Sequence, residues 1–272
     1  MTDFTEDTMD VSLQGGLKGR FAGEFCVLQS SIEALAAYLE TKTDPQVHQL
    51  ALKMLREMEL RVIWLERLSD NAADLALGSA LHNTSVQSVV DMKTWLQEFC
   101  EKMQYELDRH HLALQLICEH ETEEESTLMQ GQLSLMDGLL VNLVTNAASV
   151  AGCSCVHLKA DASGLRYWDD GPGLPMEARL LLSQGAVSQK VRDQGYTGLP
   201  LVRAYAAALG WETVIENGEG TSLLFRIPAL VPQKQTLYNA DGEAERRARL
   251  EEQRADFFRR EFTAVFGLPK EE

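Results

Sequence analysis

The stretch Leu139–Ala148, LLVNLVTNAA, decides how the rest of the chain is read. Its apolar residues Leu139, Leu140, Leu143 and Val144 recur at helical spacing. Asn142 and Asn146 are four apart, so both amides leave one helix face in the same direction. Asn inside a helix is mildly unfavourable, because its side chain competes for backbone hydrogen bonds. Two of them at this spacing mark either a solvated face or a site. Amide oxygens are hard ligands, suited to Mg2+ shared between protein and phosphates. Two later glycine-rich pieces bear on that choice: Asp169-Asp170-Gly171-Pro172-Gly173 and Gly195-Tyr196-Thr197-Gly198-Leu199.

Outward from this stretch, the totals bound the answer. A chain of 272 residues with 45% hydrophobic content holds one or two packed domains. Asp and Glu number 41 against 25 Lys and Arg, a net charge of -16, which repels nucleic acid and anionic membrane. The five cysteines, Cys26, Cys100, Cys118, Cys153 and Cys155, are odd in number and lie mostly in apolar or amphipathic runs. They read as reduced thiols of a cytoplasmic protein. Cys153-Ser154-Cys155 lacks a second Cys/His pair at ligand spacing. No signal-peptide pattern and no membrane-length apolar run is present.

Residues 1–12 are acidic and polar and read as a flexible N-terminus. Phe21, Phe25, Leu28, Ile32, Leu35 and Leu39 then follow a heptad seam. After a break at Thr41–Pro45, a second seam runs through Val47, Ala51, Met54, Met58, Arg61, Leu65 and Leu68, widened by Leu50, Leu55 and Val62. Residues 13–76 therefore predict an antiparallel helical hairpin. A lone hairpin does not bury such a stripe on all sides, whereas two copies do so as a four-helix bundle, which predicts a homodimer. The alternative is packing of the hairpin on its own C-terminal domain.

Residues 77–84 read as a linker, and Ser85–Glu106 as an amphipathic helix with Val86, Val89, Val90, Met92, Trp95, Leu96, Phe99 and Met103 on its apolar side. Leu112–Cys118 reads as a strand and the acidic run Glu119–Glu125 as a solvated loop. Leu133–Val150 is the Asn-bearing helix. Cys155–Lys159 with Leu165–Trp168, and Glu212–Glu216 with Thr221–Ile227, read as hairpins, and Leu199–Leu209 as a helix stopped by Gly210. Residues 232–272 hold a charged helix with Phe257, Phe258, Phe262 and Phe266 toward its end. The fold class is α+β: the helical hairpin, then an α/β sandwich with a mixed sheet over residues 85–231.

An Asn-x-x-x-Asn helix, a strand ending in Asp-x-Gly-x-Gly, a loop, a Gly-Leu helix start and a late Gly220-Thr221 resemble, in that order, the ATP-binding domain of sensor histidine kinases. That domain lies within the larger ATPase superfamily of Hsp90-type chaperones, gyrase and MutL proteins. The resemblance covers about residues 81–230, and the preceding helices look like the dimerisation and phosphotransfer hairpin of the same kinases. It implies ATP and Mg as cofactors, with Asn146 as the Mg ligand and Asn142 near the phosphates. Asp169 would accept a hydrogen bond from the adenine amino group. Gly171 and Gly173 would let the backbone approach the base. Gly195, Thr197, Gly198 and Leu199 would form the phosphate loop and helix start. Leu174–Gln194 would be a mobile lid, with Lys190 and Arg192 as phosphate contacts or ordinary surface charge. Thr221 matches the family's glycine-threonine before the final strand.

The sequence departs from that pattern in two places. Leu13–Leu39 contains no His, so the hairpin lacks the usual phosphoacceptor, and the catalytic residue is not identified. Tyr196 and Pro200 stand where the phosphate loop of the family has Gly, and Pro200 removes one N–H donor. Three functions follow. The first is a cytoplasmic, dimeric histidine-kinase-type enzyme that binds Mg-ATP and phosphorylates a His on another protein or an unorthodox acceptor on itself, with a response-regulator receiver domain as a candidate partner. The second is a pseudokinase scaffold that binds such a partner or another kinase. The third is an anti-sigma-type serine kinase, against which the long hairpin argues.

Overall fold

The computed structural model describes residues 23–39, 45–83, 88–119, 128–161, 163–185, 198–228 and 243–269. The chain divides into two compact units: Met1–Leu77 together with Arg260–Glu272, and Gly78–Arg259.

In the first unit, helix α1 covers residues 23–39 and helix α2 runs Pro45–Leu77. Ile32, Leu55 and Val62 are its buried cluster, with Phe25, Ala36 and Leu39 packed against it. Phe25, Ile32 and Leu39 of the first seam thus face inward. Leu28, Leu35, Leu50, Met54, Met58, Leu65 and Leu68 are exposed. Also in this unit, Glu261 pairs with Arg67 at 2.6 Å, and Arg260 pairs with Glu66 and Asp70, each at 3.1 Å.

In the second unit, a five-stranded sheet has the order β2-β4-β5-β7-β6. The strands are β2 Gln115–Glu119, β4 Cys155–Asp161, β5 Gly164–Asp169, β6 Glu212–Ile215 and β7 Ser222–Arg226. β2 and β4 are parallel and the other pairs antiparallel, so the sheet is mixed. Alternation sends Val156, Leu158, Leu165, Tyr167, Leu223 and Phe225 into the core, all nearly inaccessible. The helices are α3 Met92–Arg109, α4 Leu133–Ser149, α5 Met176–Gln184 and α6 Gly198–Ala208. α4 packs closely on α6: a β-carbon at Gly138 would lie 2.9 Å from the Tyr205 ring. α6 stops before Gly210, which has φ +71.

Two readings of the sequence give way to the structure. Ser88–Asp91 is a strand, β1, paired antiparallel with β3, Leu128–Gly131; helix α3 begins only after Asp91. Asp91 caps α3 by accepting from the backbone N–H groups of Lys93 and Thr94. The β-branched Val89 and Val90 suit a ribbon better than a first helical turn. Within the supposed linker, Gly78–Asn83 forms a 3-10 helix whose Leu81 is buried.

The last helix, α7, is Glu243–Phe266. Within the second unit its Phe258 meets Phe99 edge-on at 5.6 Å. Phe258 and Phe262 are both buried, so the Phe-bearing end packs on its own chain. No helix among the described residues is long and apolar enough to cross a membrane.

Candidate functional site

Asn142 is buried in the middle of α4. Its Nδ2 donates to the Gly138 carbonyl one turn back at 2.8 Å, and its Oδ1 is buried without a hydrogen-bond partner. Asn146, one turn on, is exposed. Both amides meet the start of α6: a β-carbon at Gly198 would lie 3.2 Å from the amide atoms of Asn146 and 3.5 Å from Oδ1 of Asn142. Free N–H groups and the positive end of the helix dipole gather at such a start. Leu199 follows, half-buried, and Pro200 sits in the first turn, where its missing N–H does not break the helix.

Asp169 ends β5 and is only 7% exposed. Oδ1 accepts from the backbone N–H groups of Gly171 and Thr221, each at 3.0 Å, and Oδ2 from the Tyr167 hydroxyl at 2.8 Å. A carboxylate has about four acceptor directions, so one remains, on Oδ2. Two glycines make this crossing of chains feasible. A β-carbon at Gly220 would lie 1.8 Å from the Asp169 carbonyl, and one at Gly173 would lie 2.9 Å from the Gly220 carbonyl. Both have positive φ, which L side chains rarely adopt. Tyr167 escaped the sequence reading. Its position two residues before Asp169, on the same face of the strand, was the available signal.

Asp170 turns the other way. Its carboxylate accepts from the Ser154 hydroxyl and from the backbone N–H groups of Ser154 and Cys155, which hold it below the ordinary carboxylate range. Cys153 lies against Gly171, and burial together with Asp169 pushes its thiol up to about 12. Arg203 of α6 donates to the Leu182 carbonyl at 2.8 Å, next to Gly185, which ends α5 in a left-handed conformation.

Behind the Asn-bearing face, Asp137 of α4 is fully buried. Arg254 of α7 donates to both its oxygens at 2.8 and 3.1 Å, and the Trp95 indole donates to Oδ1 at 2.8 Å. Burial raises the Asp137 carboxyl, with Arg254 and Trp95 opposing it. Glu98 takes a further guanidinium bond at 2.9 Å. Neither Asp137 nor Arg254 was singled out in the sequence, where they stand 117 residues apart.

The structure thus gathers Asn142, Asn146, Gly198 and Leu199 in one group, and Asp169, Gly171, Gly173 and Thr221 in another. Lys190, Arg192, Gly195 and Thr197 lie outside the described residues. Among the described residues, no three His, Cys, Asp or Glu side chains gather in a way that would hold a metal ion. An amide oxygen is the donor to consider for one.

Residues 132–231 match the family described as "Histidine kinase-, DNA gyrase B-, and HSP90-like ATPase". Among curated proteins, none matches this sequence. Among solved structures, full-length ShkA in complex with AMPPNP aligns with a TM-score of 0.56 and 20% identity over 82% of this chain and 47% of its own. The chain therefore spans less than half the length of that protein. The Acinetobacter baumannii histidine kinase AdeS aligns with a TM-score of 0.47 and 17% identity over 73% of this chain and 95% of its own. At such identities the likeness is one of fold.

Proposed function

From the premise that residues 132–231 are a histidine-kinase-type ATP-binding domain, we propose that the chain is a homodimeric, Mg-ATP-binding signalling protein. It acts in phosphoryl transfer within a two-component pathway. The observation that carries this reading is the meeting of the Asn142 and Asn146 amides with the opening of α6 at Gly198.

The donor set suits the cofactor. Asn142 Oδ1 is a buried acceptor without a donor, and such a group calls for a ligand. Asn146 would hold Mg2+ through its amide oxygen. The free N–H groups of Gly198 and Leu199 would face the triphosphate. The remaining acceptor direction of Asp169 suits the single N–H that adenine offers from its amino group. In this reading Lys190, Arg192, Gly195 and Thr197, which lie outside the described residues, are candidate phosphate contacts.

Residues 13–76 serve as the dimerisation hairpin. The exposed apolar stripe of Leu28, Leu35, Leu50, Met54, Met58, Leu65 and Leu68 supports a second copy as its cover. The described part of α1 contains no His, and the first in the chain is His48, on α2. The phosphoryl acceptor is then a His on a partner protein, or an unorthodox acceptor on the chain itself, with a response-regulator receiver domain as the candidate partner of the pathway. The same absence favours a second reading, a pseudokinase scaffold in which ATP is a conformational ligand.

Thermal unfolding with and without Mg-ATP tests the nucleotide reading. At ~100 times its dissociation constant the ligand adds about 2.7 kcal/mol. A melting temperature unmoved by Mg-ATP would sink it. Radiolabelled ATP, with and without candidate receiver domains, separates enzyme from scaffold. Label on any protein supports the enzyme, and binding without transfer supports the scaffold.

A further inference from the structure

The face of the sheet away from the buried core carries a group that nucleotide binding does not use. Along β4, Val156 and Leu158 are buried, while Cys155 and His157 point to the other face and are partly exposed. His157 Nε2 lies 3.4 Å from Cys155 Sγ, and His157 Nδ1 lies 3.1 Å from Glu119 Oε1 on the neighbouring strand β2. A carboxylate only accepts, so Nδ1 carries the proton and Nε2 is left as the acceptor of the Cys155 S–H. The imidazole plane is fixed by stacking on Trp168, with ring centroids 4.8 Å apart and planes 11° apart. Nucleophile, base and orienting carboxylate thus stand in line, the arrangement by which a weak nucleophile is activated.

We propose that Cys155, His157 and Glu119 form a thiol–imidazole–carboxylate relay that makes Cys155 a site of thiol–disulfide exchange with small disulfides. Burial and Asp170 hold the Cys155 thiol above its ordinary value, so at rest it is protonated and needs a base. As Sγ attacks one sulfur of the incoming disulfide, its proton passes to His157 Nε2. The disulfide's S–S bond breaks, and the departing thiolate takes the proton from Nε2. The products are a mixed disulfide at Cys155 and one free small thiol, with atoms and electrons balanced and no further oxidant. His157 and Glu119 remain reachable from solvent, with side chains 27% and 41% accessible.

The test is incubation of the full chain with oxidised glutathione at neutral pH, an acid quench, and peptide mass spectrometry over time. The expected result is glutathione on Cys155 before the exposed Cys26. His157→Gln, which keeps hydrogen-bonding atoms but does not relay a proton, is expected to slow Cys155 by roughly a hundredfold, the lower range of general-base effects. Glu119→Gln, which leaves the base in place but less firmly oriented, should fall between. Thermal melts of both variants check that the fold is retained, and Glu119→Gln serves alone if His157→Gln does not fold. Cys155 reacting no faster than Cys26, or at the parent rate in the folded variants, would overturn the proposal.

Discussion

Two long helices of this protein obey opposite rules. α4 buries twelve of its 17 residues, Asp137 and Asn142 among them. α2 has 33 residues, and of its described side chains only Leu55, Val62 and Asn71 are buried. Both are rich in apolar side chains, so composition does not explain the contrast. α4 lies in a domain that closes its own core, even answering a buried carboxylate with its own guanidinium. α2 lies in a hairpin whose core is one thin seam, with the rest of its stripe uncovered. A helix apolar on more sides than its own fold covers is unfinished as a monomer. The contrast separates the part of the chain that closes its own core from the part that leaves an apolar stripe uncovered, the stripe proposed above to meet a second copy.

The largest expected effect breaks the unfinished side. Leu50→Asp combined with Leu65→Asp removes four apolar side chains from the proposed dimer, worth about 8 kcal/mol of association at about 2 kcal/mol each. Analytical ultracentrifugation should find a monomer where the parent is a dimer, and an unchanged mass would show that the stripe is not the interface. Next comes the closed side. Arg254→Met leaves Asp137 buried without its cation and should lower domain stability by about 3–5 kcal/mol in urea. Adding Asp137→Leu should restore most of that loss, because the penalty belongs to the stranded charge rather than to the missing pair. A smaller change sharpens the comparison at the site. Asn146→Ala or Asp169→Ala should each abolish the Mg-ATP stabilisation of about 2.7 kcal/mol while leaving the hairpin dimer intact. Smallest is a rate. The Cys153 thiol, pushed up to about 12 by burial and then by Asp169, should resist iodoacetamide at pH 8. Asp169→Asn removes the neighbouring negative charge, lowers that value and should speed the labelling.

How much of this could be read from the chain follows the range of the interactions. α4, the β4–β5 and β6–β7 hairpins and the stop of α6 at Gly210 rest on local periodicity and turn chemistry, and those signals are strong. β1 and β3 are four residues each, and their pairing joins Ser88 to Gly131 across the acidic run. The β-branched pair Val89-Val90 was the one local hint of a ribbon, and it is too short to outweigh the helical periodicity that follows it. The heptad seams predicted two helices. Which apolar positions face within the chain, Ile32, Leu55 and Val62 rather than the whole stripe, depends on how the helices pair. Asn142, Asn146 and Asp169 were singled out together by order and spacing, and the structure brings the first two to the start of α6 and buries the third at the end of β5. Tyr167 was not, since nothing about a tyrosine in a strand announces that its hydroxyl ends on the neighbouring carboxylate. The same holds for Arg254, whose partner is far away in sequence.

That last pair changes what counts as the edge of the domain. The recurring family pattern stops at Val231, yet Arg254 lies beyond it. A gene fragment trimmed to the pattern would strand an anion in oil beneath the nucleotide helix. Expression trials, chimeras and grafts of this domain should therefore carry the chain through Arg259, because the region recognised by inheritance and the compact unit end at different residues.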